Sequence, residues 1–399
     1  MTSAGGAAAV VGVADAVSPT GELDGTLRAI EVGVVREALA DAGLTLDDVD
    51  AVACCTGGIG MPSLELAEYL GVHPKWTDST QTGGSSFELQ LEHMVDAIAA
   101  GRCHTGLIVY AATPRSARKR GGARVSGSAG QASMAASGTV APRLEWEMPY
   151  GMLTPMGEYA LAAARHMDVY GTTSEQLAQI AVSTREWAAL NPKARYRDPL
   201  TVDEVVASPL QAAPLHKLDC CLVTDGAAAI VVTAADRARD LASPPAYVLG
   251  AATASAHYMI SQAPEITVTC GADSGARALA QAGVTAADID VTQIYDSFTI
   301  TVLLALEDLG FCAKGEGGPF VADGRLGPGG SCPAQTSGGG LSYTHPGMFG
   351  LFLLVEAARQ LRGGCGERQV PRAEVAVAHG CGGAMSSTGT IVLGTEATL

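Results

Sequence analysis

The hydrophobic positions of this chain follow a helical period in some stretches and run unbroken in others, and the alternation of the two marks out β/α units. From Glu37 the segment EALADAG is an amphipathic run of good helix formers stopped by Gly43. An Asp-rich cap follows, and AVACCTGG then reads as a short apolar strand. The same order recurs downstream. EALADAGLTLDDVDAV from Glu37 matches RALAQAGVTAADIDVT from Arg277 in register, at a spacing of 240 positions. Ala38, Leu39, Ala40, Ala42, Gly43, Thr45, Asp48 and Asp50 are repeated as Ala278, Leu279, Ala280, Ala282, Gly283, Thr285, Asp288 and Asp290, and the second strand is VTQIYDSF.

Each half then carries a glycine-containing turn that opens a helix and leads to a further apolar strand. The first half has GGSSFELQLEHMVDAIAAG and TGLIVYAA; the second has HPGMFGLFLLVEAARQLRGG and AEVAVAHG. Two copies of one unit imply two similar layered halves about a pseudo-twofold axis, predicted as residues 1–240 and 241–399. Apolar strands alternating with helical patterns predict an α/β fold with mixed or parallel sheets covered by helices. The abundance of Ala and Gly suits helices pressed between two sheets. Residues from about 113 to 219 interrupt the repeat with a Gly/Ser-rich loop, then helices near Pro155 to Tyr170 and Ser174 to Leu190. This is an inserted cap of the kind that borders a binding site.

Composition narrows the function classes. At 47% hydrophobic, 399 residues can bury a large core, and the many glycines accompany periodic apolar blocks, unlike those of a disordered chain. The net charge of −16 argues against sequence-independent nucleic-acid binding, which depends on neutralising phosphates. The one dense basic cluster, Arg115, Arg118, Lys119, Arg120 and Arg124, reads as a solvated loop or as a contact for a CoA phosphate or a partner chain. No basic leader opens the chain and no apolar run is long enough to span a bilayer, so a cytoplasmic protein is expected. Ten cysteines without a CxxC resemble neither a zinc ribbon nor a disulfide framework; reduced thiols and no metal site are expected.

Four strand-to-helix turns are candidate sites, because free N–H groups at helix starts attract ligands there. They are QTGGSS with Gly83, Gly84 and Ser85; YDSFT with Tyr295; GGGLSYTHPG with Tyr343 and His345; and HGCGGAMSS with His379, Cys381, Gly382 and Gly383. Taken singly, each side chain has an ordinary use: His345 as a cap, Cys381 as a buried thiol, Tyr295 in a tyrosine hydrogen bond. Two tyrosines, a histidine and a cysteine on glycine-rich turns of a duplicated fold together point to a site.

At these turns the chain resembles the thiolase superfamily, in its lipid-transfer-protein and sterol-carrier-protein X branch. GGGLSYTHPG is similar to the thiolase GGLxxxGHPxG motif, HGCGGAMSSTGTIVLG to the C-terminal CxGG segment, and KLDCCLVTDGAAAIVV to that branch's DCCLVTDGA block. The resemblance implies a thiolase fold of five layers, α-β-α-β-α. It implies that His345 supports an oxyanion hole, that Cys381 is the acid/base cysteine, and that Gly83, Gly84, Ser85, Gly382 and Gly383 line the substrate. The chain departs from the pattern where a thiolase carries its acylated cysteine. It reads Gln81, Thr82, Gly83, Gly84, Ser85, with no cysteine between Cys55 and Cys103. A hydroxyl without a base is a poor substitute for a thiolate, so Ser85 or Ser86 is a weak candidate nucleophile.

That loss, with Tyr295 and Tyr343 present, is similar to the steroid side-chain aldolases of this branch, which cleave a β-hydroxyacyl-CoA into a ketone and a shorter acyl-CoA. The resemblance implies proton transfer by Tyr295 and Tyr343, with no cofactor beyond the CoA of the substrate. It also implies a homodimer and a small zinc-ribbon/OB-fold partner. An acyltransferase or condensing subunit, and a non-catalytic acyl-CoA or lipid carrier, are the alternatives.

Overall fold

Both copies of the repeat build the same unit, and local chemistry explains why. Helix α1 (Leu27–Ala42) starts where the Thr26 hydroxyl accepts the Ala29 N–H and stops at Gly43; helix α6 (Gly271–Ala282) stops at Gly283. The two cap glycines have φ of 70° and 69°, a left-handed conformation that glycine adopts without a Cβ penalty. Asp48 then accepts from both the N–H and the hydroxyl of Thr45, and Asp288 does the same for Thr285. Asp50 accepts the N–H groups of His104 and Thr105, and Asp290 those of Glu374 and Val375. In each half the repeated aspartates thus tie one strand to the start of its neighbour. The structure, a computed structural model, describes residues 6–55, 60–120 and 142–399, so Arg124 of the basic cluster lies outside the described residues.

The strands are β1 (Ala8–Ala16), β2 (Ala51–Cys54), β3 (Trp76–Asp78), β4 (Thr105–Ala112), β5 (Leu210–Ala212), β6 (Leu215–His216), β7 (Gly226–Ala234), β8 (Ala246–Ser255), β9 (Val291–Ile294), β10 (Val375–Gly382) and β11 (Ser387–Gly394). Nine of them form one mixed sheet in the order β3-β2-β4-β7-β1-β8-β11-β10-β9; β5 and β6 pair separately. Within the sheet the two halves join through an antiparallel contact of β1 with β8, Ala9 opposite Tyr247 and Val10 opposite Ala246. These two strands are equivalent under the pseudosymmetry. A Cβ at Gly12 of β1 would overlap the Ala38 carbonyl oxygen, and one at Gly250 of β8 that of Ala278, so each strand runs directly beneath its repeated helix.

Helices α3 (Ser86–Ala99) and α8 (Gly350–Leu361) contact strands of both halves, whereas α1 covers β1, β7 and β4 and α6 covers β8 and β11. The layers therefore run α-β-α-β-α, with the two β layers continuous at the β1–β8 contact. Alternation along β1 serves two cores. Ala8 and Val10 pack with Phe87, Leu91 and Met94 of α3 and Leu351 of α8, while Ala9 and Val11 pack with Val34, Val35 and Ala38 of α1.

In the inserted stretch, α4 (Pro155–Tyr170) and α5 (Ser174–Ala189) lie against α7 (Thr299–Asp308). A fully buried pair fixes α4 there. His166 Nε2 is 3.1 Å from Glu307 Oε2, and its Nδ1 is 2.8 Å from the Thr172 hydroxyl. No helix among the described residues is long and apolar enough to cross a membrane.

Candidate active site

The four strand-to-helix turns interlock. Gly83–Ser85 forms a tight turn ahead of α3, stapled by Ser86 Oγ, which accepts the Thr82 N–H at 2.9 Å and donates to the Gly83 carbonyl at 2.6 Å. Ser85 Oγ lies 2.7 Å from Ser387 Oγ, and Ser387 donates to the Thr82 carbonyl, which fastens the turn to the start of β11. There is no room for side chains between the turns. A Cβ at Gly83 would stand 2.6 Å from Gly383 N, and one at Gly382 would overlap the Thr82 carbonyl oxygen. At Gly84 a Cβ would run into both the Cys381 carbonyl oxygen and the Tyr295 ring. Gly83, Gly84, Ser85, Gly382 and Gly383 are thus brought together, and the Tyr295 ring fills the space a side chain at position 84 would need.

Tyr295 leaves β9 with its N–H donating to the His379 carbonyl, and its hydroxyl lies 2.9 Å from His345 Nε2, the donor being set by the imidazole tautomer. Both groups are buried. Burial pulls His345 down to about 4, so the ring is neutral at pH 7. Burial also holds the Tyr295 phenol well above its ordinary value, with the neighbouring Cys221, Tyr159, Tyr110 and Cys381 acting in the same direction. The next residue, Asp296, accepts from the N–H groups of Gly340 and Leu341 and so holds the Gly339–Tyr343 turn against this strand end. Burial lifts its carboxyl to about 7 against those two hydrogen bonds.

Cys381, in β10, is buried, and its thiol is pushed up to about 12, first by desolvation and then by Cys270. The Tyr159 hydroxyl lies 3.9 Å from Cys381 Sγ and donates to the Gly383 carbonyl at 3.1 Å. Sequence reasoning missed Tyr159 because it sits inside α4 with no turn, motif or glycine beside it.

The structure places Tyr343 elsewhere. Its hydroxyl donates to the Asp15 carboxylate of β1, which also accepts from Arg359 at 2.7 Å and Lys193 at 2.9 Å. Burial works to raise the Asp15 pKa, but Arg359 and Lys193 outweigh it and hold the carboxyl below its usual range. Burial, then the Asp15 charge, drives the Tyr343 phenol well above its own. Among the described residues no hydrogen bond or ring contact joins Tyr343 to Tyr295, His345 or Cys381. His379 bonds the Thr390 hydroxyl at 2.9 Å. In the basic cluster, Arg115 and Lys119 pair with Glu22, and Arg118 and Arg120 are exposed. Among the described residues no group of three or more His, Cys, Asp and Glu could hold a metal ion.

Sequence reasoning also passed over Glu88. Both its carboxyl oxygens are buried without a hydrogen-bond partner, enclosed by backbone at Gly350 and Gly380, while Gly389 presses on its Cβ. Burial pushes it up to about 8 from the ordinary 4.5, so at pH 7 it is protonated. The folded chain therefore binds a proton that the unfolded chain has released between those two values. Stability falls as pH rises through that window, with a slope of at most about 1.4 kcal/mol per pH unit. Glu88→Gln keeps the shape and removes the titration. Melting of both proteins from pH 5 to pH 8 should show a shallower decline in the variant, and equal slopes would contradict a protonated Glu88.

Comparison with known proteins follows the same lines. A family model described as thiolase C-terminal domain-like matches residues 252–395. A steroid side-chain-cleaving aldolase of Thermomonospora curvata is 37% identical over 344 residues, covering 82% of this chain and 84% of that protein. The chain belongs to the thiolase superfamily. A 17-hydroxy-3-oxo-4-pregnene-20-carboxyl-CoA lyase of Mycobacterium tuberculosis is 35% identical, covering 90% of this chain and 92% of the lyase. An acetyl-CoA acetyltransferase of Methanothermobacter thermautotrophicus is 41% identical, but over 60% of this chain; the chain spans 63% of that relative's length. Among solved structures, the Ltp2-ChsH2(DUF35) aldolase superposes with a TM-score of 0.86 at 32% identity, covering all of both chains. The thiolase fold expected from the turns is the fold found.

Proposed function

We propose that this superfamily member is an acyl-CoA carbon–carbon lyase that splits a β-hydroxyacyl-CoA into a ketone and a shorter acyl-CoA such as propionyl-CoA. A steroid side-chain thioester is the substrate class suggested by the two lyase-type relatives. The observation that carries the reading is the filled space at Gly84. The turn where a thiolase carries its acylated cysteine reads Gln81, Thr82, Gly83, Gly84, Ser85, without a cysteine, and the Tyr295 phenol occupies the space over its Gly84.

Retro-aldol cleavage needs a group to take the β-hydroxyl proton, donors for the thioester enolate, and an acid for its α-carbon. Tyr295 takes the hydroxyl proton as it passes its own across the 2.9 Å contact to His345 Nε2, while the Cα–Cβ bond breaks and its electron pair enters the enolate. The same contact supports His345 in the oxyanion hole: once Nε2 has received the Tyr295 proton, its N–H donates to the enolate oxygen. Cys381 returns a proton to the α-carbon. Tyr343, to which the family resemblance assigns proton transfer, donates to Asp15 and supports the site from there, holding β1 to the turn that carries His345. Gly83, Gly84, Ser85, Gly382 and Gly383 shape the thioester pocket. CoA enters as part of the substrate and no other cofactor is required.

A homodimer in the cytoplasm, flanked by a small zinc-ribbon/OB-fold protein that completes the CoA site, fits this reading. Its support is the two-protein name of the solved neighbour and the exposed Trp146, Tyr150 and Leu153 of the inserted segment. An acyltransferase is the second reading, favoured by the acetyltransferase relative. One experiment separates them: the chain is co-expressed with such a partner, given steroid β-hydroxyacyl-CoA esters, and followed by ketone release and intact mass. Equal amounts of ketone and shortened acyl-CoA, with no mass added to the chain, are expected. An acyl adduct that forms and decays during turnover would replace the lyase with the transferase.

A further inference from the structure

The inserted segment contributes one side chain to the site, and its contacts assign it a task. Tyr159 lies on α4, is 3% exposed, and stacks its ring on Phe298 with centroids 4.5 Å apart and planes 30° apart. Phe298 belongs to the same YDSF segment as Tyr295, so the stack locks the inserted helix to the strand end that carries the reacting phenol. The Tyr159 hydroxyl donates its only proton to the Gly383 carbonyl at 3.1 Å, which leaves its oxygen lone pairs facing Cys381 Sγ at 3.9 Å.

We propose that Tyr159 is a positioning residue that orients the Cys381 thiol while it carries its proton and stabilises the thiolate once that proton has gone. The inference rests on the reading of Cys381 as the group that protonates the enolate. In that step the S–H bond breaks, a C–H bond forms at the α-carbon of the leaving acyl-CoA, and the electron pair stays on sulfur. The Tyr159 proton then turns from the Gly383 carbonyl to the thiolate. His345 then returns its proton to Tyr295, and the proton that Tyr295 took from the β-hydroxyl restores the thiol, Cys381 being one of the groups that face the buried phenol. One proton moves from oxygen to carbon per turnover, and none is gained or lost. Desolvation, and then Cys270, drives this thiol up to about 12 while the Tyr159 hydroxyl works against that rise, so deleting the hydroxyl makes the thiolate costlier to form.

Tyr159→Phe keeps the stacked ring and deletes one oxygen. Alkylation of each cysteine in the full chain with iodoacetamide, followed peptide by peptide by mass spectrometry across pH, reads the Cys381 thiolate directly and needs no lyase turnover. The alkylation midpoint of Cys381 is expected to rise by about one pH unit in the variant, with Cys365 unchanged. In the holo-complex kcat should fall about tenfold with KM unaltered. An unmoved Cys381 midpoint overturns the proposal whatever the activity; a shifted midpoint in a protein that shows no lyase turnover would retain it and remove the lyase reading. Should Tyr159→Phe fail to fold, 3-fluorotyrosine at position 159 serves as a near-isosteric substitute. Its more acidic hydroxyl should lower the Cys381 midpoint, and no shift would overturn the inference equally.

Discussion

Tyr295→Phe is expected to lower kcat for carbon–carbon cleavage by about a thousandfold while the melting temperature stays within a few degrees of wild type. The size follows from the role: a positioned acid/base group contributes about 10²- to 10⁴-fold, and here no second phenol bonds His345. The ring, which packs edge-on to Phe349 and fills the space above Gly84, is retained in phenylalanine, so packing is preserved and the chemistry alone is lost. Substrate binding should persist, because the glycine backbone of the interlocking turns is left untouched by the change. The measurement is steady-state ketone release from the holo-complex, with calorimetry on the same samples. Turnover within threefold of wild type would take Tyr295 out of the mechanism. Tyr343→Phe is expected to lose activity as well, but through a different partner, since its hydroxyl serves Asp15 and not His345. Unchanged turnover in that variant would leave the Asp15, Arg359 and Lys193 cluster as a structural bolt between β1 and α8.

The sequence made some of this legible and hid the rest for physical reasons. The two β/α units were readable because their ends are capped locally: Gly43 and Gly283, Thr45 with Asp48, and Thr285 with Asp288 act within a few residues of one another. The equivalence of β1 and β8 is not readable, since it rests on Gly12 and Gly250 meeting the carbonyls of Ala38 and Ala278, 26 and 28 positions further along the chain. Tyr343 and His345 are two residues apart and looked like partners. The backbone of Gly339–Tyr343 winds so that one side chain reaches Tyr295 and the other reaches Asp15, 328 positions away. Tyr159 and Glu88 sit within helices, where neither period nor neighbours distinguish a site residue from a core one, and only the meeting of α4, α3 and the glycine turns exposes their roles.

Placing a cysteine at Gly84, within the turn that lacks the thiolase nucleophile, should destroy this enzyme and not convert it. In Gly84→Cys the new Cβ must displace either the Cys381 carbonyl, which is part of the β10–β11 ladder, or the Tyr295 ring. The ladder is the stiffer of the two, so the ring moves, and with it the hydroxyl now 2.9 Å from His345. A shift of about 1 Å at a reacting group costs about a hundredfold, so kcat for cleavage should fall by at least that factor, with a loss of several degrees in melting temperature from overpacking. Gly84→Ala should do nearly the same, which separates the steric effect from any effect of sulfur. The introduced thiol should not be acylated by acyl-CoA while the phenol stands over it. Combining Gly84→Cys with Tyr295→Gly empties the space, and that double variant is the one in which intact mass should detect an acyl adduct. Lyase turnover at wild-type level in Gly84→Cys would mean that the phenol and a side chain at position 84 do not compete for one volume, and the steric part of the argument would fall with it.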